Sequence, residues 1–424
     1  MDKKTVVNID KLNACARLEK ESDNNPYNRR FSEYHFENLI IDFKLDLYDI
    51  KTSSMDFENL SIDRVVRFKN CDFIHPLNLK LLGNYEVEFS NQCTFKSIKS
   101  SRIFNNLSFI DSIIESVDFE NAIMGSVEGK KGKVRFRNCD LHQVNFRNTT
   151  FHFLADFWRS TFHQPANFYK TDFNATAVFS AATFKENVLF TYASFNEKAI
   201  FGRTQFLKGL DLSQSIIGGE LQIFDLSFDY KNYKAVYAGT DNEEFEELIN
   251  HQHKIPKINK VTTFQILKNQ YSKQGNHIDE VTMRKEEKKA FSQLVQSRKT
   301  DHHWTKSTSG DRFILWLNRW SNHYKSDFRN GISFTIVAAL LFMSLTFLTT
   351  GVFWNRLILD GEVDSNVIGF TIKSFITFLN PVHELTYIND LKPYYGIPYV
   401  FDFLGRIAVG FGIYQTVQAF RKYR

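Results

Sequence analysis

The stretch "ANFYKTDFNATAVFSAATF", Ala166 to Phe184, places phenylalanine at 168, 173, 179 and 184, in steps of five, six and five. Counting outward extends the register through Phe146, Phe151, Phe157, Phe162, Phe168, Phe173, Phe179, Phe184, Phe190, Phe195, Phe201, Phe206, Leu212 and Ile217. Fives and sixes alternate almost throughout, so the composite period is eleven. Upstream, Phe104, Phe109, Ile114 and Phe119 step by five, as do Phe68 and Phe73, and Phe136, Leu141 and Phe146. The segment "GSVEGKKGK" (125–133) breaks the register and reads as a loop inserted at a corner.

No regular element repeats in this way. A step of five on an α-helix turns about 140°, which sends alternate rings to opposite faces. The composition, rich in Asn, Thr, Ser and Phe, also opposes a helix. On a flat strand an odd step alternates faces as well. The chain must therefore bend within every unit, as a coil with a corner each five or six residues does, and its rings then fill the axis. Two residues before each ring the side chain is small or apolar, as at Ala155, Ser160, Ala166, Thr171, Ala177, Ala182, Val188 and Ala193. Cys71, Cys93 and Cys139 stand in the same slot before Phe73, Phe95 and Leu141, which makes them buried filler rather than reactive thiols. With Cys15 they form no CxxC pair and no disulfide framework.

"ANFYKTDF" and "CDFIHPL" resemble the A(D/N)LXX units of pentapeptide repeat proteins, in a phenylalanine-rich form, over roughly residues 35–228. The resemblance implies a right-handed quadrilateral β-helix with four units to a turn. Phe89 and Phe95 fit the pattern loosely, so distorted turns are expected between 77 and 103. A solenoid exposes strand edges at both ends. Residues 1–34 are the expected cap at one end, and the region after Phe228 at the other.

The expected domains are the N-terminal segment 1–34, the repeat β-helix 35–228, a helical hairpin and polar linker 229–310, and a membrane domain 311–424. In the hairpin, Phe264, Leu267 and Tyr271, then Val281, Phe291, Leu294 and Val295, keep helical spacing, and Gly275 separates two helices. Similar helical pairs follow the repeats in some membrane-bound members of the family. "SRKTDHHWTKSTSGDR" (297–312) reads as the linker.

Two stretches are long and apolar enough to span a bilayer, "ISFTIVAALLFMSLTFLTTGVFW" (332–354) and "PYVFDFLGRIAVGFGIYQTVQAF" (398–420). The second carries Asp402 and Arg406, four apart on one face in the favoured acid-before-base order. Arg312, Arg319, Lys325 and Arg329 precede the first span, and Arg421, Lys422 and Arg424 follow the second. The positive-inside rule then puts both termini and the repeats in the cytoplasm. The expected location is a bacterial inner (cytoplasmic) membrane. Trp316, Arg319 and Trp320 suggest a short helix on the inner surface. "VIGFTIKSFITFL" (367–379) is too short to span and reads as an interfacial helix, a re-entrant segment or a packed loop. Glu384 and Asp390 are candidates for an acidic ring in an oligomer, or plain solvated charges.

Phenylalanine makes up 43 of 424 residues, and net charge is +5. Residues 31–230 hold 21 Lys/Arg against 25 Asp/Glu, and residues 231–424 hold 25 against 18, so the basic excess lies beside the apolar spans. The N-terminus lacks the apolar core of a signal peptide. No phosphate loop, GxSxG, HExxH or zinc spacing is present, so no enzyme, metal or cofactor is expected. His251, His253, His302 and His303 read as surface or linker histidines rather than metal ligands, and His383 beside Glu384 is a similarly weak metal candidate.

The favoured function is a membrane-anchored cytoplasmic scaffold, with the lipid bilayer, an unknown cytosolic protein and further copies of the chain as partners. The alternative is an oligomeric channel or membrane-permeabilising effector gated by the repeats, by analogy in stress or phage defence. The family also contains soluble mimics of duplex DNA that bind gyrase. A net −4 over 31–230 is thin for mimicry, and nucleic acid is disfavoured.

Overall fold

A computed structural model describes residues 4–8, 10–12, 17–20, 32–45, 64–81, 85–103, 106–126, 132–238, 242–297, 309–324, 327–350, 365–385, 388 and 396–420. They form two compact units, 1–266 and 267–424. Among the described residues, thirty short strands precede the long helices. The helices follow: α1 Asn242–Asn250, α2 Lys257–Lys273, α3 His277–Ser297, α4 Ser309–Asn322, α5 Phe328–Leu348, α6 Ser365–Leu379 and α7 Ile397–Phe420.

The strands wind into a parallel β-solenoid. In the regular part each strand is two residues long and pairs with the strand one turn on. Ala166 sits beside Val188, Asp172 beside Ser194, Ala177 beside Ala199 and Thr183 beside Gln205. These four ladders make four sides, and one turn takes 22 residues.

The corners explain why fives alternate with sixes. Asn148, Arg159, Lys170, Ala181, Tyr192, Arg203 and Gln214 all have φ between 53° and 58°. Most lie midway along a five-residue step, within a tight turn closed by a backbone bond, as from Ala182 N to Phe179 O at 3.1 Å. A positive φ folds the chain back in the fewest residues. The intervening corners, such as Asn174–Thr176, have no such residue and take one more position. None of these tight corners is glycine, although a left-handed L-residue costs about 1–2 kcal/mol. Core packing must offset that cost at every half-turn.

The core is a set of ring columns. Phe146, Phe168 and Phe190 stack with centroids 5.1 and 4.8 Å apart. Phe151, Phe173 and Phe195 stack at 5.2 and 5.1 Å. Phe162, Phe184 and Phe206 continue at 4.4 and 5.4 Å. Phe157, Phe179 and Phe201 stack at 5.1 and 4.9 Å. Neighbouring columns meet edge to face, as Phe168 meets Phe179 at 5.6 Å and 87°. All twelve rings are buried.

The distortion expected between 77 and 103 is found in the backbone, where the pairing of Ile98–Ile103 with Leu77–Leu81 shifts register between Ser100 and Arg102, but not in the ring columns. Phe89 stacks between Phe68 and Phe109 at 5.2 and 4.9 Å, and Phe95 lies on Phe73 at 4.6 Å. One column therefore runs unbroken from Phe36 through Phe68, Phe89, Phe109, Phe136, Phe157 and Phe179 to Phe201. Longer strands, such as Tyr85–Ser90, carry the chain along a side here, so sequence spacing changes while ring spacing does not. Phe104 and most of the inserted loop lie outside the described residues.

The small slot that follows each tight corner has a second role. Ser160 Oγ donates to Phe136 O at 2.6 Å, Thr171 Oγ1 to Phe146 O at 2.7 Å, and Thr204 Oγ1 to Phe179 O at 2.9 Å. Cys139 Sγ lies 3.4 Å from Phe109 O, and Cys93 Sγ 3.4 Å from Phe68 O. Where the slot holds Ser, Thr or Cys, this donor ties the corner to a neighbouring turn, whereas Ala182 and Ala193 only fill it. Burial pushes the Cys139 thiol up to about 12, so it keeps its proton and can donate.

Arg17–Lys20 pairs antiparallel with Ser32–Glu37 and ends the parallel run of its sheet. At the other end, Phe264 of α2 packs on Phe228 and Tyr233, with centroids 6.3 and 5.5 Å away. Beneath it the buried Asp211 carboxylate accepts from Thr191 Oγ1 (2.9 Å), Asn259 Nδ2 (2.8 Å) and Ser213 N (2.8 Å). Thr263 Oγ1 accepts from Leu212 N at 2.9 Å. The α2 side chains thus satisfy polar groups that the last turns would otherwise leave bare.

In the second unit Gly275, with φ +71°, ends α2, and Lys268 of α2 reaches Glu287 of α3 at 2.8 Å. α5 and α7 pair along much of their length, and α4 and α6 pack beside them. α5 starts four residues before the expected span, at Phe328, and 351–354 lie outside the described residues.

Two substitutions separate the column from the slot. Phe179→Ala should cost about 3–5 kcal/mol in urea unfolding of the full chain. Cys139→Ser should cost less than about 1 kcal/mol, because serine already serves the slot at Ser160.

Candidate functional site

α5 and α7 are each long and apolar enough to cross a membrane. Their burial runs opposite to that of a water-soluble core. Ile336, Val337, Leu340 and Leu341 of α5 are exposed, as are Val400, Phe403, Ile407 and Val417 of α7. The seam between the helices is made of small residues. A Cβ on Gly412 would stand 2.3 Å from Thr335 Oγ1, and one on Gly331 would stand 2.6 Å from Thr416 Oγ1. Each threonine hydroxyl turns back onto its own helix, Thr335 to Gly331 O at 2.8 Å and Thr416 to Gly412 O at 2.9 Å. Small residues inside and large apolar residues outside suit a hydrocarbon solvent.

α4 is inverted in the same sense. Phe313, Ile314, Trp316 and Trp320 are exposed, while Ser321 and Asn322 are buried. Asn322 Nδ2 donates to Gln415 Oε1 on α7, and Gln415 Nε2 donates to Asn318 Oδ1 at 3.3 Å.

The charged centre lies near the start of α7. The Asp402 side chain is completely buried. Arg406 Nε donates to its Oδ2 at 2.7 Å, one helical turn along. His383 Nε2 meets its Oδ1 at 2.8 Å, and His383 Nδ1 lies 2.6 Å from Asn380 O. A carbonyl only accepts, so Nδ1 carries a proton. Phe378 of α6 closes the cluster from the side, its ring 5.5 Å from that of His383. Phe378 also packs with Ala339, Met343 and Val409, which docks the C-terminal half of α6 on both long helices.

The structure therefore brings Asp402 and Arg406 together, inside the helix pair. It adds His383, to which the sequence reading gave no role. His383 is buried, because the turn after α6 tucks it beneath Phe378. The only signal in the sequence was a histidine just past an apolar helix. Glu384 is exposed and outside the cluster, and Asp390 lies outside the described residues. The segment 367–379 falls within a helix docked on the pair, so it is not an irregular loop.

Residues 131–172 match the family described as Pentapeptide repeats (9 copies). With the four-sided ladders and the ring columns, this makes the first unit a pentapeptide-repeat solenoid. No curated protein and no solved structure matches the chain.

A buried ion cluster is far more sensitive to losing one member than to losing all. Arg406→Leu should lower stability in neutral detergent by about 3 kcal/mol. Adding Asp402→Leu and His383→Leu to it should restore most of the loss, as read from thermal midpoints.

Proposed function

We propose that the chain is a membrane-anchored, non-catalytic scaffold, with the pentapeptide-repeat solenoid offered to cytosolic partners and α5 and α7 as the anchor. The observation that carries this reading is the inside-out pair α5–α7, whose buried carboxylate is matched from within the same chain. Asp402 already has Arg406 and His383 as partners within one chain. It needs no water-filled pore and no second copy to satisfy it. Lys/Arg residues flank the outer ends of both apolar stretches, which supports a cytoplasmic repeat domain and cytoplasmic termini. A bacterial inner membrane is the setting we propose. The solenoid supports the scaffold role because stacked turns make a stiff surface whose outward residues vary without touching the core.

One observation favours an oligomeric channel-like effector instead. At 15 residues, α6 is too short to cross a ~30 Å hydrocarbon core, yet it docks on both long helices. A half-helix between two spans is the arrangement of simple pores.

Reconstitution of the full-length protein distinguishes the two. An anchor should resist carbonate extraction and leave dye-loaded vesicles sealed. Leakage that scales with protein would replace the anchor by the pore, and extraction by carbonate would remove both.

A further inference from the structure

The turn between α4 and α5 is unusual. His323 and Tyr324 both take left-handed backbone, with φ +49° and +61°. Tyr324 N bonds back to Asn318 O at 3.2 Å, which closes the end of α4. Two consecutive non-glycine residues in this region store strain that the surrounding packing must hold. Between α4 and α5 lies an open cleft of about 370 Å³.

The cleft has two chemically distinct halves. Arg319, His323, Asn330 and Ser333 line the polar half. Trp320, Phe334 and Val337 line the apolar half. Trp320 meets Phe334 edge to face at 6.5 Å, which joins the two helices across it. The apolar half runs on into Leu340 and Leu341, on the exposed face of α5.

The charge around the polar half is positive. Burial, and then Lys285, Arg319 and Lys289, hold the His323 imidazole below its ordinary value, against the opposing pull of Asp327. Asp327 is engaged as the cap of α5, where its carboxylate accepts from Arg329 N at 2.9 Å. The cleft also opens beside the first turn of α5, the end of a helix that favours an anion.

We propose that this cleft holds one anionic phospholipid, with its phosphate on Arg319, Asn330 and Ser333 and its acyl chains along Val337, Leu340 and Leu341. The proposal rests on the reading that α5 lies in a bilayer. A free phosphate would use only the polar half, whereas the continuous apolar floor gives a lipid its tails a path. Trp316 and Trp320, stacked at 6.0 Å and both exposed, lie at the headgroup level where indole rings concentrate.

Native mass spectrometry of the full-length, delipidated protein in neutral detergent tests it, with phosphatidylglycerol, phosphatidylcholine and inorganic phosphate as probes. One phosphatidylglycerol should be retained in preference to phosphatidylcholine, and millimolar inorganic phosphate should not displace it. Arg319→Gln should weaken that retention about tenfold. Ser333→Leu, which fills the cleft without removing a charge, should weaken it as well. Equal retention of the two lipids, displacement by inorganic phosphate, or unchanged binding in both variants would overturn the proposal. Carbonate extraction is run alongside. Release from the membrane would remove the anchor reading and this proposal together, whereas membrane retention with unselective lipid binding removes this proposal alone.

Discussion

The solenoid depends on a match between two spacings. Hydrogen-bonded strands stand about 4.7–4.9 Å apart, so identical positions in successive turns repeat at that distance. A flat aromatic ring, stacked with an offset, fills such a repeat without leaving a gap. The observed centroid separations, such as 4.8 Å for Phe168 and Phe190, show the backbone ladder and the ring column in register. The stacked phenylalanines thus fit the backbone repeat, and the column holds the strained corners at Arg159, Ala181 and Tyr192 in place.

The period of eleven was legible because the ring is bulky and its slot strictly internal. Its cause was not. Nothing in Ala181 or Tyr192 marks a left-handed corner, since asparagine or glycine is the usual sign. The corner is imposed by the ladders on either side of it. The same holds for Phe89 and Phe95. Their spacing looked irregular because chain length between rings varies where strands lengthen, while the column constrains only where each ring arrives. The cysteine slot was read correctly as small and buried, but the carbonyl opposite Cys139 belongs to a turn 30 residues away and could not be seen.

In the second unit the apolar runs were plain, and so was the i,i+4 pair Asp402 and Arg406. His383 was missed for a physical reason. It precedes Asp402 by 19 residues, several of which lie outside the described part of the chain, and only the packing of Phe378 under both long helices places it there. A lone histidine in a polar loop and a buried one beside a carboxylate share the same local sequence. The polar link from Asn322 to Gln415 spans 93 residues and leaves no local trace either.

The solenoid and the α5–α7 pair place their apolar side chains in opposite ways. In the solenoid the backbone is satisfied by neighbouring turns, and large apolar side chains go inward. In the helix pair the backbone is satisfied within each helix. Large apolar side chains are then free to face outward, and glycine, threonine and the charged trio occupy the interior. That inversion bears on the choice between anchor and pore. A pore needs polar groups that a closed pair leaves available to water or to ions. Here Asp402 has no exposed surface, and its two oxygens are already engaged by His383 and Arg406. Opening this pair would mean breaking a buried ion cluster before any conducting path formed. Such a step requires a strong external drive, and a tether requires none.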